Sequence, residues 1–481
     1  MTNYIVSSER SIGQREVKFF LVLLIILELQ LLLLGFVISP LIAVFSVIAL
    51  WVVLLAILFK ISSSEVDFFI LFCVLIFVDK GITINIAGLY FVVYDFIYMF
   101  IILKWLSQLL YERKIQIYTS PLIYLLLSFL CLCILSALYA MFVRHVSPTT
   151  VLRELRPFTY YLIFFYMLSR IRNKEQLIKI FTGFCFLMLI GLLYQYYIFF
   201  TGGHIKEFYS GLYRSMEITP LYTALLIVVM LGLFIYTTSL SYRTILIGII
   251  FFATIGFIMS LSRTEIGAFV GALVVMLFYI PRKYRKNGIV LIILFGSLVF
   301  VSETLNGGAV FSQLGKRIST VTDEGNISVT QRASEYYFGW QAIKANPLFG
   351  IGLGNKFRSF DFLYENKMAD TTYIHSGLLF IAVKMGLLTV GLKIILLISF
   401  FRKAIVLHKL IENQTLRGMI FGAAFCFVII GLSSVLQPGF QYPNITPIIA
   451  VLFGFVIVVQ KIIEDEQKVM PKLKITNVNI Y

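Results

Sequence analysis

The chain has 481 residues, of which 60% are hydrophobic and 16% aromatic, and its mean hydropathy is +0.94. Apolar runs repeatedly pass the roughly 18 residues that mark a membrane-spanning helix, which excludes a soluble domain. The net charge of +16 is spread over short loops between those runs rather than gathered in one basic stripe, so nucleic acid is excluded as a partner.

A polar, basic start precedes the first apolar run, which begins near Phe19. That run is too long for a signal-peptide core and lacks an A-x-A-like site, so it reads as an uncleaved first span. Further spans are expected at about 40–59, 66–84, 86–106, 121–143, 154–171, 177–200, 220–238, 244–261, 264–280, 288–303, 376–401, 417–436 and 444–461. Lipid offers no partner to an open backbone group, so each span must be helical. The fold class is an all-α polytopic integral membrane protein with about 12–14 transmembrane helices. The five cysteines (Cys73, Cys131, Cys133, Cys185, Cys426) fall in or beside apolar runs and read as small core residues.

Lys and Arg set the orientation. Arg10, Arg15 and Lys18, Lys104, Arg113 and Lys114, Arg170, Arg172 and Lys174, Arg282 to Lys286, Arg402 to Arg417, and Lys461 to Lys474 mark one set of loops. Both termini are then cytoplasmic. The domain organisation is a cytoplasmic N-terminus (1–18), a transmembrane bundle of about 11 spans (19–303), a large extracytoplasmic loop (304–375), C-terminal transmembrane helices (376–461) and a cytoplasmic tail (462–481). No internal repeat relates the two halves.

The large loop carries most of the sequence's local signals. Ser328-x-x-Gln331 reads as a capping box. Ala333, Tyr336, Tyr337, Trp340 and Ile343 follow at helical spacing, predicting an amphipathic helix over about 331–345 that lies at the membrane interface. Asn346-Pro347 ends it. Gly350-x-Gly352-x-Gly354 lacks the Lys-Ser/Thr and the βαβ context of a nucleotide loop and reads as a turn. A straight helix from His375 would bury Lys384 in lipid. A short outer helix from Tyr373 to Lys384, followed by a span from about Gly386, avoids that.

Three arginines and a histidine, far apart in sequence, fall on the outward side. Arg263 sits in the tight turn Ser262-Arg263-Thr264-Glu265, where Ser262 and Glu265 form a second capping box and Glu265 reads as cap rather than catalyst. A cation in a helix's first turn opposes the dipole unless an anion joins it. Arg332 repeats that arrangement at the start of the loop helix, with a surface pair to Glu335 as its ordinary explanation. Arg214 stands in the loop before Thr219-Pro220, with Glu217 as its ordinary partner. His375 offers an imidazole, the side chain suited to taking a proton from a hydroxyl. Arg153 and Arg156 add outward charge as helpers or interface anchors, and Glu265 is counted as a helper with them. Glu28, Asp95 and Asp79-Lys80 are charges inside apolar runs, too scattered for an ion pathway. No Asp-x-Asp or His/Cys cluster stands in the outward loops, so no metal and no cofactor is expected.

Tyr213-Arg214, Ser262-Arg263, Arg332 with Trp340, Asn346-Pro347-Leu348-Phe349-Gly350-Ile351-Gly352, His375 and Met385-Gly386-Leu387-Leu388, in that order, resemble the O-antigen ligase and polymerase family of bacterial glycan-assembly enzymes. The resemblance covers roughly 200–400 and implies a GT-C-like fold in the bacterial inner membrane. It implies transfer of a glycan from an undecaprenyl-diphosphate carrier to an acceptor glycan or to lipid A core, with the lipid bilayer and other polysaccharide-assembly proteins as further partners. Arg214, Arg263 and Arg332 would hold the diphosphate, and His375 would assist the acceptor hydroxyl. The family often has Asn after the histidine, where this chain has Ser376. It often has an acidic residue before the following glycine segment, where this chain has Lys384, and an Asn after the first arginine loop, where Pro220 and Leu221 stand here. The polymerase reading is favoured over ligase because nothing specifies a lipid A core. A lipid-linked oligosaccharide flippase, the rival from another class, would show two related halves and short loops.

Overall fold

The structure, a computed structural model, describes residues 63–77, 83–86, 89–112, 118–201, 206–209, 212–214, 219–260, 262–287, 327–362, 367–439 and 442–476. The expected spans 19–38, 40–59 and 288–303, together with Glu28, Asp79-Lys80, Glu217 and 304–326 of the large loop, lie outside these residues. The chain divides into two compact units, Met1–Asp67 and Phe68–Tyr481. All that follows concerns the second, apart from residues 64–67 at the start of the first described helix.

The protein is an all-α multi-pass membrane protein. Among the described residues six helices are long and apolar enough to cross a membrane. In chain order the first elements are α1 (Ser64–Phe77), a hairpin of β1 (Thr83–Ile86) and β2 (Leu89–Val92), α2 (Val93–Glu112), α3 (Pro121–Phe142), α4 (Pro148–Thr159), α5 (Leu162–Arg170) and α6 (Lys174–Phe200). A second hairpin joins β3 (Lys206–Tyr209) to β4 (Leu212–Arg214). Then come α7 (Pro220–Tyr236), α8 (Leu240–Met259) and α9 (Arg263–Tyr279). The large loop holds α10 (Ile327–Ala345) and a hairpin of β5 (Phe357–Asp361) and β6 (Lys367–Thr371). The chain closes with α11 (Gly377–Met385), α12 (Leu387–Leu410), α13 (Gln414–Leu436) and α14 (Thr446–Thr476).

Two expected spans are corrected. The stretch 154–171 is not one helix but α4 and α5, broken at Tyr160-Tyr161. Pro157 sits inside α4 and contributes no N–H to the helix ladder, and Arg153, Glu154 and Arg156 make that segment too polar for lipid. The stretch expected to begin at 86 instead spends its first residues on the β1–β2 hairpin. There Asp95, 3% exposed, accepts hydrogen bonds from the Val92 backbone N–H (2.6 Å) and the Tyr160 hydroxyl and pairs with Arg156 (3.2 Å). This charge near an apolar run is thus neutralised locally and anchors α4 to α2.

The core is built on α7 and α13. A Cβ on Gly232 would fall 2.4 Å from the Gly418 carbonyl oxygen and 2.7 Å from the Gly422 nitrogen. Gly418-x-x-x-Gly422 therefore lets two backbones touch, which in lipid substitutes packing for the missing hydrophobic drive. Beside them Phe400 and Phe453 stack at 4.1 Å. Lys393 of α12 is fully buried there, donating to the Tyr161 hydroxyl and lying 4.5 Å from the Phe129 and Tyr161 ring centroids. The sequence reading passed over this lysine.

α11 and α12 realise the expected helix break at Gly386, and the glycine-rich turn explains how. Gly386 has φ +86°, unfavourable for any other residue. The segment Asn346–Asn355 lies across the break. Ile351 N–H and Gly352 N–H donate to the Val383 and Lys384 carbonyls at 2.8 and 2.9 Å, and Leu387 N–H donates to Pro347 O at 2.8 Å. The groups that a helix break would orphan are satisfied by the loop, as the membrane setting requires. Lys384, fully buried, pairs with Glu154 of α4 at 3.1 Å and donates to Asn355 O. The other Glu154 oxygen accepts from Gly354 N–H at 2.6 Å. The turn reading of Gly350-x-Gly352-x-Gly354 holds, and the turn is also a clasp joining α4, α11 and α12.

Candidate functional site

His375 lies immediately before α11. Ser376 caps that helix, its hydroxyl accepting from Leu379 N–H at 3.2 Å. Ser and Asn are both favoured N-caps, so Ser376 can fill the role of the Asn expected from the resemblance. The cap and the clasp fix α11 at both ends, and hence the position of His375.

The partner of His375 is Glu335 of α10. One carboxylate oxygen lies 2.7 Å from His375 Nδ1, and the other accepts the His375 backbone N–H at 2.8 Å. The Glu335 side chain is 4% exposed and that of His375 is 28% exposed. A carboxylate is an acceptor, so it selects the tautomer with the proton on Nδ1 and leaves the lone pair on Nε2. Gln331 holds the carboxylate in turn: its Nε2 donates to Glu335 Oε1 at 3.2 Å while its Oε1 accepts from Phe362 N–H at 2.8 Å. Ser334 bonds Phe360 N–H and O at 3.0 and 3.1 Å, seating the β5–β6 hairpin on the same helix.

These contacts correct two expectations. Helix α10 begins at Ile327, so Ser328 lies inside it, and Gln331 reaches away from the helix start rather than completing a capping box. Its predicted end at Ala345 holds. The expected stripe also splits: Ile343 is buried with Gln331, Ser334 and Glu335, whereas Tyr336, Tyr337 and Trp340 are exposed.

Arg332 stands one turn before Glu335 but does not pair with it; among the described residues its buried Nε has no hydrogen-bond partner. It lies within electrostatic reach of Glu265 and of Tyr373. Glu265 is buried at the start of α9, where Ser262 donates to its carboxylate. The expected capping box is therefore a side-chain pair rather than a backbone cap. Glu265 thus brings the turn that carries Arg263 within electrostatic reach of Arg332. Arg263 opens α9 and is half-buried. Arg214 lies on β4, opposite Lys206, and its side chain is outside the described ones. Arg156 is committed to Asp95. Arg153 is exposed beside the Glu154–Lys384 pair.

An aromatic wall adjoins His375. The Tyr373 ring meets the imidazole edge-on at 4.9 Å and 84°. Its hydroxyl lies 3.0 Å from that of Tyr442, in the segment between α13 and α14. Tyr373 is 40% exposed, and partial burial, followed by the neighbouring Tyr442, pushes its phenol above the ordinary pKa. Tyr336 donates its hydroxyl to Val435 O, closing the mouth against the end of α13. Away from these polar groups, an open apolar groove of about 770 Å³ runs between α3 and α12, lined by Tyr124, Leu127, Leu132, Leu387, Leu388 and Leu392 among others. Among the described residues no three His, Cys, Asp or Glu side chains gather as a metal-holding group.

Sequence reasoning missed Glu335 as the histidine's partner, and Tyr442 altogether. A signal for Glu335 existed in its placement one turn from Gln331 on the buried stripe of a loop helix; Tyr442 carried none.

Residues 248–394 match a protein-family model described as O-antigen ligase. That segment holds Arg263, Arg332, Glu335, His375 and the clasped break, while Arg214 and Tyr442 fall outside it. No curated protein matches the chain.

Proposed function

From the match of residues 248–394 to the O-antigen ligase model, we propose that this protein polymerises polysaccharide repeat units carried on undecaprenyl diphosphate at the outer face of the inner membrane. The acceptor hydroxyl oxygen attacks the anomeric carbon of the donor sugar. The bond from that carbon to the phosphate oxygen breaks, its electron pair leaves with the lipid diphosphate, and the anomeric centre inverts. The hydroxyl proton passes to Nε2 of His375.

The observation that carries the reading is the His375–Glu335 pair. A buried carboxylate on Nδ1 presents Nε2 as a base and stabilises the imidazolium that forms. Arg332 supports the donor side: a buried guanidinium nitrogen without a partner among the described residues is costly unless a ligand oxygen supplies one. Guanidinium forks on the diphosphate, from Arg332 with Arg263 and Arg214, would stabilise the charge left by the departing group. No metal is needed when the leaving group is already a diphosphate neutralised by arginine. The groove between α3 and α12 has the apolar lining that a polyprenyl tail requires.

The test is complementation of a gene-deletion strain. His375→Ala or Arg263→Ala at normal membrane levels should cut glycan transfer by at least about 100-fold. Full activity in both would sink the assignment. In the deletion strain itself, one retained repeat unit means polymerase, whereas loss of all attached glycan means ligase. Carrier-linked units trapped on the inner leaflet would mean a flippase instead.

A further inference from the structure

We propose that Tyr373 and Tyr442 form the subsite that holds the acceptor sugar, beside the base that the transfer reading assigns to His375. The inference rests on that reading for its reaction but on separate residues for its geometry.

Tyr373 is 40% exposed, yet its hydroxyl is committed to the protein through Tyr442 at 3.0 Å. That leaves its ring as the part of the side chain we assign to a ligand. The backbone that carries it is held before any ligand arrives: Tyr373 N–H donates to Thr371 Oγ1 at 3.0 Å, at the end of β6, and its carbonyl accepts from the same hydroxyl at 3.4 Å. An interfacial anchor behaves differently, because it directs its hydroxyl to headgroups and leaves its ring in the acyl boundary. A tethered phenol with an open ring is a platform.

The chemistry of that platform fits a neutral pyranose. Sugar C–H groups carry partial positive charge and pack on the negative face of an aromatic ring. The paired phenolic oxygens keep acceptor lone pairs for sugar hydroxyls. The two tyrosines bring no formal charge, so they suit a hydroxylated ring rather than a phosphate, which belongs with the arginines. Position matters as much as chemistry. The Tyr373 ring touches the imidazole, so a sugar lying on it has its hydroxyls next to the proposed base. Arg332, within electrostatic reach of Tyr373, keeps the anionic donor in the same neighbourhood.

The experiment uses the full chain in nanodiscs, with lipid-linked repeat unit extracted from the deletion strain as donor and oligosaccharide cut from the host's surface polysaccharide as acceptor. Tyr442→Phe and Tyr373→Phe each remove one hydroxyl and should raise the acceptor KM about ten-fold, with kcat and donor KM within about two-fold of wild type. Tyr373→Ala, which removes the platform, should raise the acceptor KM further. An unchanged acceptor KM in all three variants, or a rise confined to donor KM, overturns the subsite while leaving the transfer reading intact. Saturation-transfer NMR on the His375→Ala protein gives a readout without turnover. Oligosaccharide signals that vanish when Tyr373→Ala is added support the subsite. Signals that persist, or are never seen, overturn it. A wild type that binds the oligosaccharide on Tyr373 but never turns over defeats the transfer reading and spares the sugar site.

Discussion

The two ends of α11 use polar groups in opposite ways. This helix has nine residues, about 14 Å of rise, with His375 just before it and Lys384 near its end. At the Lys384 end the chain saturates itself: the break at Gly386 is bridged by Pro347, Ile351 and Gly352, and the buried ammonium meets Glu154 and Asn355. At the His375 end saturation stops one step short. Glu335 is satisfied from three directions, but it leaves the imidazole's Nε2 as a lone pair, and Arg332 keeps a buried nitrogen unpartnered among the described residues. Closed polar networks build the frame, whereas incomplete ones mark where a ligand completes the set.

The largest effect should come from breaking the frame. Gly386→Val would set a Cβ 1.9 Å from the Leu348 carbonyl oxygen, at a φ of +86°. No side-chain movement relieves a clash with backbone, so the clasp must open and re-expose the groups it satisfies. Size-exclusion chromatography of detergent extracts should show no monodisperse protein. Wild-type yield of a well-behaved protein would mean that the clasp is not built from these contacts.

Next is a change that spares the frame and alters the site. Glu335→Gln keeps size and much of the hydrogen bonding, but its amide can donate to Nδ1 and so favours the tautomer protonated at Nε2. The base proposed above is then blocked with the histidine still in place. Transfer should fall by about 10²- to 10⁴-fold at unchanged membrane level and unchanged thermal midpoint. A drop in midpoint without loss of specific activity would reassign Glu335 to the frame.

The asymmetry also explains what could be read from sequence. Local signals survived: the end of α10 at Asn346-Pro347, the turn at Gly350-x-Gly352-x-Gly354, and the break near Gly386, which follows from the cost of placing Lys384 in lipid. Arg332 and His375 stood out in the sequence because each residue type is rare or ill-placed without a ligand. Pairings across distance were not. Glu154 meets Lys384 across 230 positions and Glu335 meets His375 across 40, and no period in the chain encodes either. Arg156 looked like an outward cation because its partner, Asp95, looked like a charge stranded in a span. Short hairpins such as β5–β6 carry too few residues to stand out from a polar loop.

The smallest effect on chemistry, and the sharpest test of the division, is at Glu154. Glu154→Leu removes the partner of a fully buried ammonium and the acceptor for Gly354 N–H. Breaking a buried pair from one side costs about 3–5 kcal/mol, most of it the stranded charge rather than the lost attraction. Thermal stability should fall sharply. Replacing both residues, Glu154→Leu with Lys384→Met, removes the stranded charge and should recover most of the loss, because an apolar pair of similar volume often matches a buried ion pair. Transfer per folded molecule should stay close to wild type in the double variant, since neither residue touches His375, Glu335 or Arg332 in the described contacts. If stability returns but transfer does not, the Lys384 end of α11 takes part in the chemistry. The ion pair would then belong with the site rather than with the frame.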